Sequence, residues 1–282
     1  MTQKKKLLDN PVLGNFIIPI AIVLIGAFLV FLFQRLLQTE KSYKELLTEM
    51  NSRTFGNRWV AAFELSKLIA ANKIPEAEIP GFIAGLEGNY KIANGEREKL
   101  FIVAAAAGLK RPEAKHLLIR ALDDFDQTIQ LHALVGIGNL PEVEDLPEAK
   151  IISFLNSEDE GIKIAAIFTV AQHQLMSGVK SLQVLLESNN TKVKWAAISA
   201  LVNFGNEVVL TPMADLLKLK AGSGPGSVDG LKVAKQNLLQ TLKRRRWEKG
   251  ILHIKNILLE MSENEKDLQL VQLVRENLDL IK

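Results

Sequence analysis

Lys163-Ile164-Ala165-Ala166-Ile167-Phe168-Thr169-Val170 is answered 31 residues later by Lys194-Trp195-Ala196-Ala197-Ile198-Ser199-Ala200-Leu201. Two further copies precede them. These are Gln130-Leu131-His132-Ala133-Leu134-Val135-Gly136-Ile137 and Arg58-Trp59-Val60-Ala61-Ala62-Phe63-Glu64-Leu65. A weaker copy runs from Lys99 through Leu100 and Ile102 to Ala106. The leading polar residue stands at 58, 99, 130, 163 and 194, in steps of 41, 31, 33 and 31 residues. Self-similarity at this period is the signature of a solenoid of helix pairs. In each clear copy a large apolar residue follows the polar one, and an alanine stands three positions after it. A small residue lets neighbouring helices approach, and the apolar ones fill the shared core.

The helix preceding each copy is also legible. The pattern predicts first helices at Tyr43 to Met50, Glu78 to Leu86, Pro112 to Leu122, Pro147 to Leu155, Lys180 to Leu186 and Thr211 to Leu219. Pro112-Glu113 and Pro147-Glu148 read as helix starts, with proline in the first turn and an acid at the amino end. Asp126, Asp159 and Asn190 stand in equivalent places before a second helix and are expected to cap it. Two departures break the rhythm. Gly88 to Gly95 lengthens repeat two as a surface loop. Residues 221–230, AGSGPGSVDG, read as a flexible insertion inside repeat six. Further helices are expected at Leu231 to Leu242 and Ile251 to Leu259, and a charged terminal helix at Ser262 to Leu280.

The pattern resembles HEAT-type repeats, including the lyase-like variety common in bacteria. Its carriers are Ile162 to Ala166, Val193 to Ala197 and Arg58-Trp59-Val60-Ala61-Ala62. The resemblance covers about residues 40–281. It implies an all-α fold, an α-α superhelix with an extended concave surface for segments of other proteins. It says almost nothing about activity. The chain also resembles bacterial proteins in which one membrane span precedes such an array.

That span is the second decisive stretch. Phe16 to Phe33, FIIPIAIVLIGAFLVFLF, is 18 residues without a charge, and only Asn15 is polar back to Val12. At about 1.5 Å per residue it matches a bilayer core. A secretory signal would suit Lys4, Lys5 and Lys6. However, the run exceeds the usual 7–15 residues, and no small-x-small site follows. A single-pass anchor is therefore expected over 12–37, after a basic tail at 1–11 and before a repeat domain at 40–282 of about seven helix pairs. Phe16, Ile17, Ile18, Ile22, Leu24, Phe28, Leu29, Phe31 and Phe33 carry the anchor. Basic residues tie three to three across it, with Lys4 to Lys6 against Arg35, Lys41 and Lys44. A lysine-bearing tail is awkward to translocate, so the lean is to amino terminus inside and repeats outside the cell membrane.

Composition removes several chemistries. The 282 residues hold no cysteine, so thiol nucleophiles and Cys-ligated zinc are excluded. Thirty-five Lys and Arg against 32 Asp and Glu give +3, which does not point to nucleic acid. Gly222 to Gly226 looks superficially like a phosphate loop but lacks the Gly-Lys-Ser/Thr ending. His116, His132, His173 and His253 show no metal-ligand spacing. No His-Glu dipeptide occurs, which speaks against the di-iron hydroxylase known among HEAT-type proteins. His132 reads as a packed histidine, and Trp59 and Trp195 as core. The acids at Glu142, Glu144 and Asp145, and at Glu158 to Glu160, read as solvated joints. No cofactor and no metal are expected.

The densest charge cluster is Lys243-Arg244-Arg245-Arg246-Trp247, followed by Lys249. It suits a helix end, or a contact with an acidic partner or anionic lipid over 243–249. The candidate partner-binding residues are Lys243, Arg244, Arg245, Arg246 and Trp247, with Gly222, Gly224 and Gly226 of the insertion. The expected function is a non-enzymatic, membrane-anchored scaffold or adaptor. The alternative is a lyase-like or other ligand-handling enzyme on the same repeats.

Overall fold

The computed structural model describes residues 24, 26, 28, 41–50, 55–93, 95–141, 143–220 and 228–281. The chain divides into two compact units, Met1–Glu45 and Leu46–Lys282. Most of the expected anchor, with Phe16, Ile17, Ile18, Ile22, Leu29, Phe31 and Phe33, lies outside the described residues. Leu24, Gly26 and Phe28 of the first unit are helical and exposed. Among the described residues no helix is long and apolar enough to cross a membrane. The first unit ends on a reciprocal cap. The Ser42 amide donates to Glu45 Oε2 at 2.9 Å, and the Glu45 amide donates to Ser42 Oγ at 3.3 Å.

The described part is all α, without a strand. The helices are α1 (Tyr43–Glu49), α2 (Phe55–Ala70), α3 (Ile79–Ile92), α4 (Glu96–Leu109), α5 (Lys115–Ala121), α6 (Gln127–Gly138), α7 (Glu148–Ser153) and α8 (Glu160–Gln172). They continue as α9 (Val179–Val184), α10 (Thr191–Asn203), α11 (Leu210–Lys218), α12 (Val228–Arg245), α13 (Glu248–His253), α14 (Lys255–Asn264) and α15 (Leu268–Leu278). Second helices pack on second helices in the order α2, α4, α6, α8, α10, α12, α15. The short first helices lie against them, and several are extended by a 3-10 turn. Two of these turns are Phe154–Asn156 and Leu185–Glu187.

The alanines set this stacking. Ala61, Ala133, Ala166 and Ala197 are all fully buried. Gly136 carries the principle further, because a Cβ there would lie 2.8 Å from the Cβ of Ala107 on α4. Around these contacts Leu118, Leu122, Ile137, Ile162 and Leu201 fill the core. Each such side chain contributes about 1.5–3 kcal/mol on burial.

The second helices start where expected. Asp126 accepts from the amides of Thr128 and Ile129, Asp159 from Ile162, and Asn190 from Lys192 and Val193. Asp267 does the same for α15, taking the amides of Gln269 and Leu270. Polar side chains then tie each second helix to the one before. Thr169 Oγ1 donates to the Leu134 carbonyl at 2.8 Å, and His173 Nε2 to Ile137 at 2.7 Å. Asn203 Nδ2 donates to Ala171 at 2.6 Å, and Asn277 Nδ2 to Leu239 at 3.0 Å. Thr169, Asn203 and Asn277 are buried, where a lost bond costs the full desolvation of the group.

Four expectations need correcting. Pro112–Ala114 is a 3-10 turn and the α-helix begins at Lys115. Gly88 to Ile92 is not a loop but the last part of α3. Two bonds hold that extension. Asn89 Nδ2 donates to the Leu47 carbonyl, and Tyr90 Oη donates to Asp124 Oδ2, at 2.9 and 2.8 Å. Ile251 to Leu259 is two helices, parted where fully buried Ile254 takes φ −102° and ψ 9°. Ser262 lies in the last turn of α14, which ends at Asn264, and the terminal helix starts only after Asp267. In the insertion, 221–227 lie outside the described residues. Asp229 and Gly230 belong to the first turn of α12.

Asp124 is the hub of a polar knot between repeats. Its Oδ2 accepts from Tyr90 Oη and Lys99 Nζ, both at 2.8 Å, and its Oδ1 accepts from the Asp126 amide at 3.2 Å. Burial alone would raise its pKa. The hydrogen bonds from Lys99, Asp126 and Tyr90 outweigh burial and hold the carboxyl below its ordinary value. Burial, and then the bond to Asp124, pushes the Tyr90 phenol up. A depressed carboxyl contributes stability above its unfolded pKa, about 3.9, and loses it as pH falls through the folded value. Asp124→Asn is therefore expected to cost about 2 kcal/mol at neutral pH. In urea titrations its stability should fall less steeply than wild type below about pH 4. Parallel pH profiles would contradict this account.

Candidate functional site

On the face opposite their first helices, α6, α8, α10 and α12 enclose a groove of about 1000 Å³. Its lining follows helical spacing. Leu131 and Val135 come from α6 and Asn139 from its carboxyl cap, and Ile164, Phe168 and Gln172 from α8. Trp195, Ser199 and Asn203 come from α10, and Val233, Asn237 and Thr241 from α12. Residues four and eight apart share a helix face, so equivalent repeat positions form rows across the groove. Leu131, Ile164, Trp195 and Val233 make an apolar row. Asn139, Gln172, Asn203 and Thr241 make a polar row at the carboxyl ends of the helices.

Phe168 is seated by its neighbour. A Cβ on Gly138 would lie 2.6 Å from the Phe168 ring, so only glycine admits the ring at that place. Val135 and Val233 remain 39% and 51% exposed, too open for core residues, and they face the groove. Trp195 is buried, as expected, but it also forms part of the groove wall. The Trp59 side chain lies outside the described residues. His132 is half-buried, and its Nδ1 donates to the Thr128 carbonyl of its own helix at 2.8 Å.

The two ends of the groove differ in charge. At one end Asp229 is exposed in the first turn of α12. Beside it Lys192 is bonded to Glu160 at 2.9 Å. A hydrogen bond from Asn190, then one from Lys192, holds the Glu160 carboxyl below its ordinary value. At the other end stands Arg244. Its Nη1 donates to Gln172 Oε1 at 3.1 Å and its Nη2 to Asn203 Oδ1 at 3.4 Å.

The basic cluster read from the sequence is thus dispersed. Lys243 pairs with Glu276 at 3.1 Å, and Lys249 pairs with Glu207. Arg244 alone of the cluster lines the groove. Arg245 ends α12, and Arg246, at φ 50°, turns the chain out of the helix. Both are exposed. Trp247 is half-buried over Gly250, where a Cβ would come within 2.4 Å of its ring. Gly222, Gly224 and Gly226 lie outside the described residues. Among those described, no three His, Asp or Glu gather to hold a metal ion. The groove itself escaped sequence reading. Its signal was the recurrence of lining residues one, five and nine positions after the leading polar residue.

Residues 148–223 match the family model of HEAT repeats. No curated protein matches the sequence. A chain of the CpcE–CpcF complex of phycocyanin lyase from Nostoc sp. PCC7120 is similar in structure, at 15% identity and TM-score 0.56. The match covers 86% of this chain and 95% of that one. The Escherichia coli protein YibA is similar at 15% identity and TM-score 0.54, over 87% of this chain and 85% of that one. At this identity the likeness is one of fold, an all-α solenoid-like repeat.

Gly138→Ala should push Phe168 off its seat and cost about 1–3 kcal/mol in guanidinium denaturation. A stability unchanged from wild type would show that the ring does not depend on that glycine.

Proposed function

We propose that this chain of HEAT-type repeats is a non-enzymatic scaffold or adaptor, holding a segment of another protein in the groove of α6, α8, α10 and α12. One observation carries the reading. Four successive second helices expose the same repeat positions to one groove, with an apolar row beside a polar one. Such a surface offers burial for apolar side chains and amide partners for a backbone. Among the described residues its lining contains no histidine and no pair of carboxylates to move protons. A second reading, handling of a small bound ligand, draws on the volume of about 1000 Å³, at the upper end of ligand pockets.

The uncharged run of Phe16 to Phe33 supports a single span in the cell membrane over 12–37, with the repeats at 40–282 carried on one side. On this reading the adaptor serves an assembly at the membrane, with the amino terminus inside and the repeats outside.

A photo-crosslinking residue placed at Ser199 tests the groove. Irradiation in cells followed by detergent extraction should join the chain to a discrete protein. The adduct should disappear in the Val135→Asp, Val233→Asp double variant. Recovery of the unlinked chain alone would count against an adaptor, and a small-mass adduct would favour the ligand reading. Protease added to intact cells should degrade the repeats. Their full protection, with digestion only after lysis, would reverse the proposed orientation.

A further inference from the structure

The groove is electrically polarised, and Arg244 is the cause. A guanidinium has five N–H donors. Two N–H groups of Arg244 reach the amide oxygens of Gln172 and Asn203, which position the group without neutralising it. Among the described residues no carboxylate pairs with Arg244, whereas Lys243 and Lys249 each hold one, from Glu276 and Glu207. The unneutralised cations of the region are therefore Arg244 in the groove and exposed Arg245 and Arg246 just past it. The opposite end carries the Asp229 carboxylate. Fifteen residues of α12 separate Asp229 from Arg244, about 22 Å of helix, which about seven extended residues would span.

Resting on the adaptor reading, we infer that the segment held in this groove presents an apolar stretch followed by acidic side chains. The apolar residues lie along Ile164, Phe168, Trp195 and Val233. The first acid meets Arg244, the one residue of the basic cluster in the groove lining. Charge complementarity fixes this polarity. A carboxylate at the Arg244 end gains a fork-shaped donor, while one at the Asp229 end meets a like charge. The apolar floor and the Asp229 carboxylate argue against a polyphosphate backbone as the occupant.

The test uses the full-length chain in nanodiscs of neutral phosphatidylcholine, with empty nanodiscs as the blank. Two fluorescent twelve-residue peptides are titrated by anisotropy. Each has a stretch of Leu, Ile and Val, followed by three glutamates in one and three lysines in the other. The glutamate peptide should bind at least about tenfold tighter, the factor given by one well-made charged contact. Arg244→Glu should abolish or invert that preference, and Arg244→Gln should reduce it. Lys249→Ala should leave it intact. Thermal melts establish that each variant is folded. Equal binding of both peptides by wild type, or a preference unmoved in Arg244→Glu, would overturn the inference while leaving the groove reading in place. Binding of neither peptide would overturn both. A preference for nanodiscs containing anionic phosphatidylglycerol over the glutamate peptide would assign the arginines to lipid and overturn the inference.

Discussion

A single helix pair of this chain cannot bury its own apolar face, so each second helix must lie close against the next. Small residues at two repeat positions set the closeness. Ala61, Ala133, Ala166 and Ala197 are fully buried between neighbouring helices, and Gly136 brings α6 onto Ala107. A larger side chain there would part the helices and open the core on both sides. The hydrophobic contacts, the polar ties and the groove all follow from this contact distance.

Close packing fixes separation but not register. Register comes from directional bonds. The caps at Asp126, Asp159 and Asn190 start successive helices at the same level. Near the other ends, Thr169, His173 and Asn203 reach back to carbonyls of the preceding helix. Helices pinned at both ends cannot slide, so equivalent positions align in rows. The groove is the consequence. Its apolar row and its amide row are repeat positions brought level, and the same Asn203 that ties α10 to α8 also turns an oxygen to Arg244. Scaffold and groove therefore share residues.

Much of this was legible. The polar lead recurs five times, the buried alanine four times and the cap three times, and the helices formed around these local features. Legibility failed where a distant residue decided a local outcome. Gly88 reads as a break, but Tyr90 and Asn89 find partners at Asp124 and Leu47, and those bonds carry α3 onward. Ile251 to Leu259 has the periodicity of one helix, but the chain leaves helical geometry at buried Ile254 and divides it. In the groove, Arg244 is one of eight candidates that the sequence offers with nothing to set it apart. Gln172 and Asn203, 72 and 41 residues away in sequence, distinguish it.

The sequence by itself determined the fold class, the repeat period, the second-helix starts and the uncharged run from Phe16 to Phe33. Each rests on spacing along the chain, which hydrophobic burial and helix capping translate directly into local structure. Only the tertiary structure decided which apolar positions face inward and which line a groove, and which basic residues remain unneutralised. Trp195 illustrates the first point, buried yet part of the groove wall. Lys243, Lys249 and Arg244 illustrate the second, since the first two meet Glu276 and Glu207 and the third meets amides. The reason is physical: a charge is neutralised, and a side chain exposed, by neighbours in space, and in a stack of helices those neighbours come from other repeats.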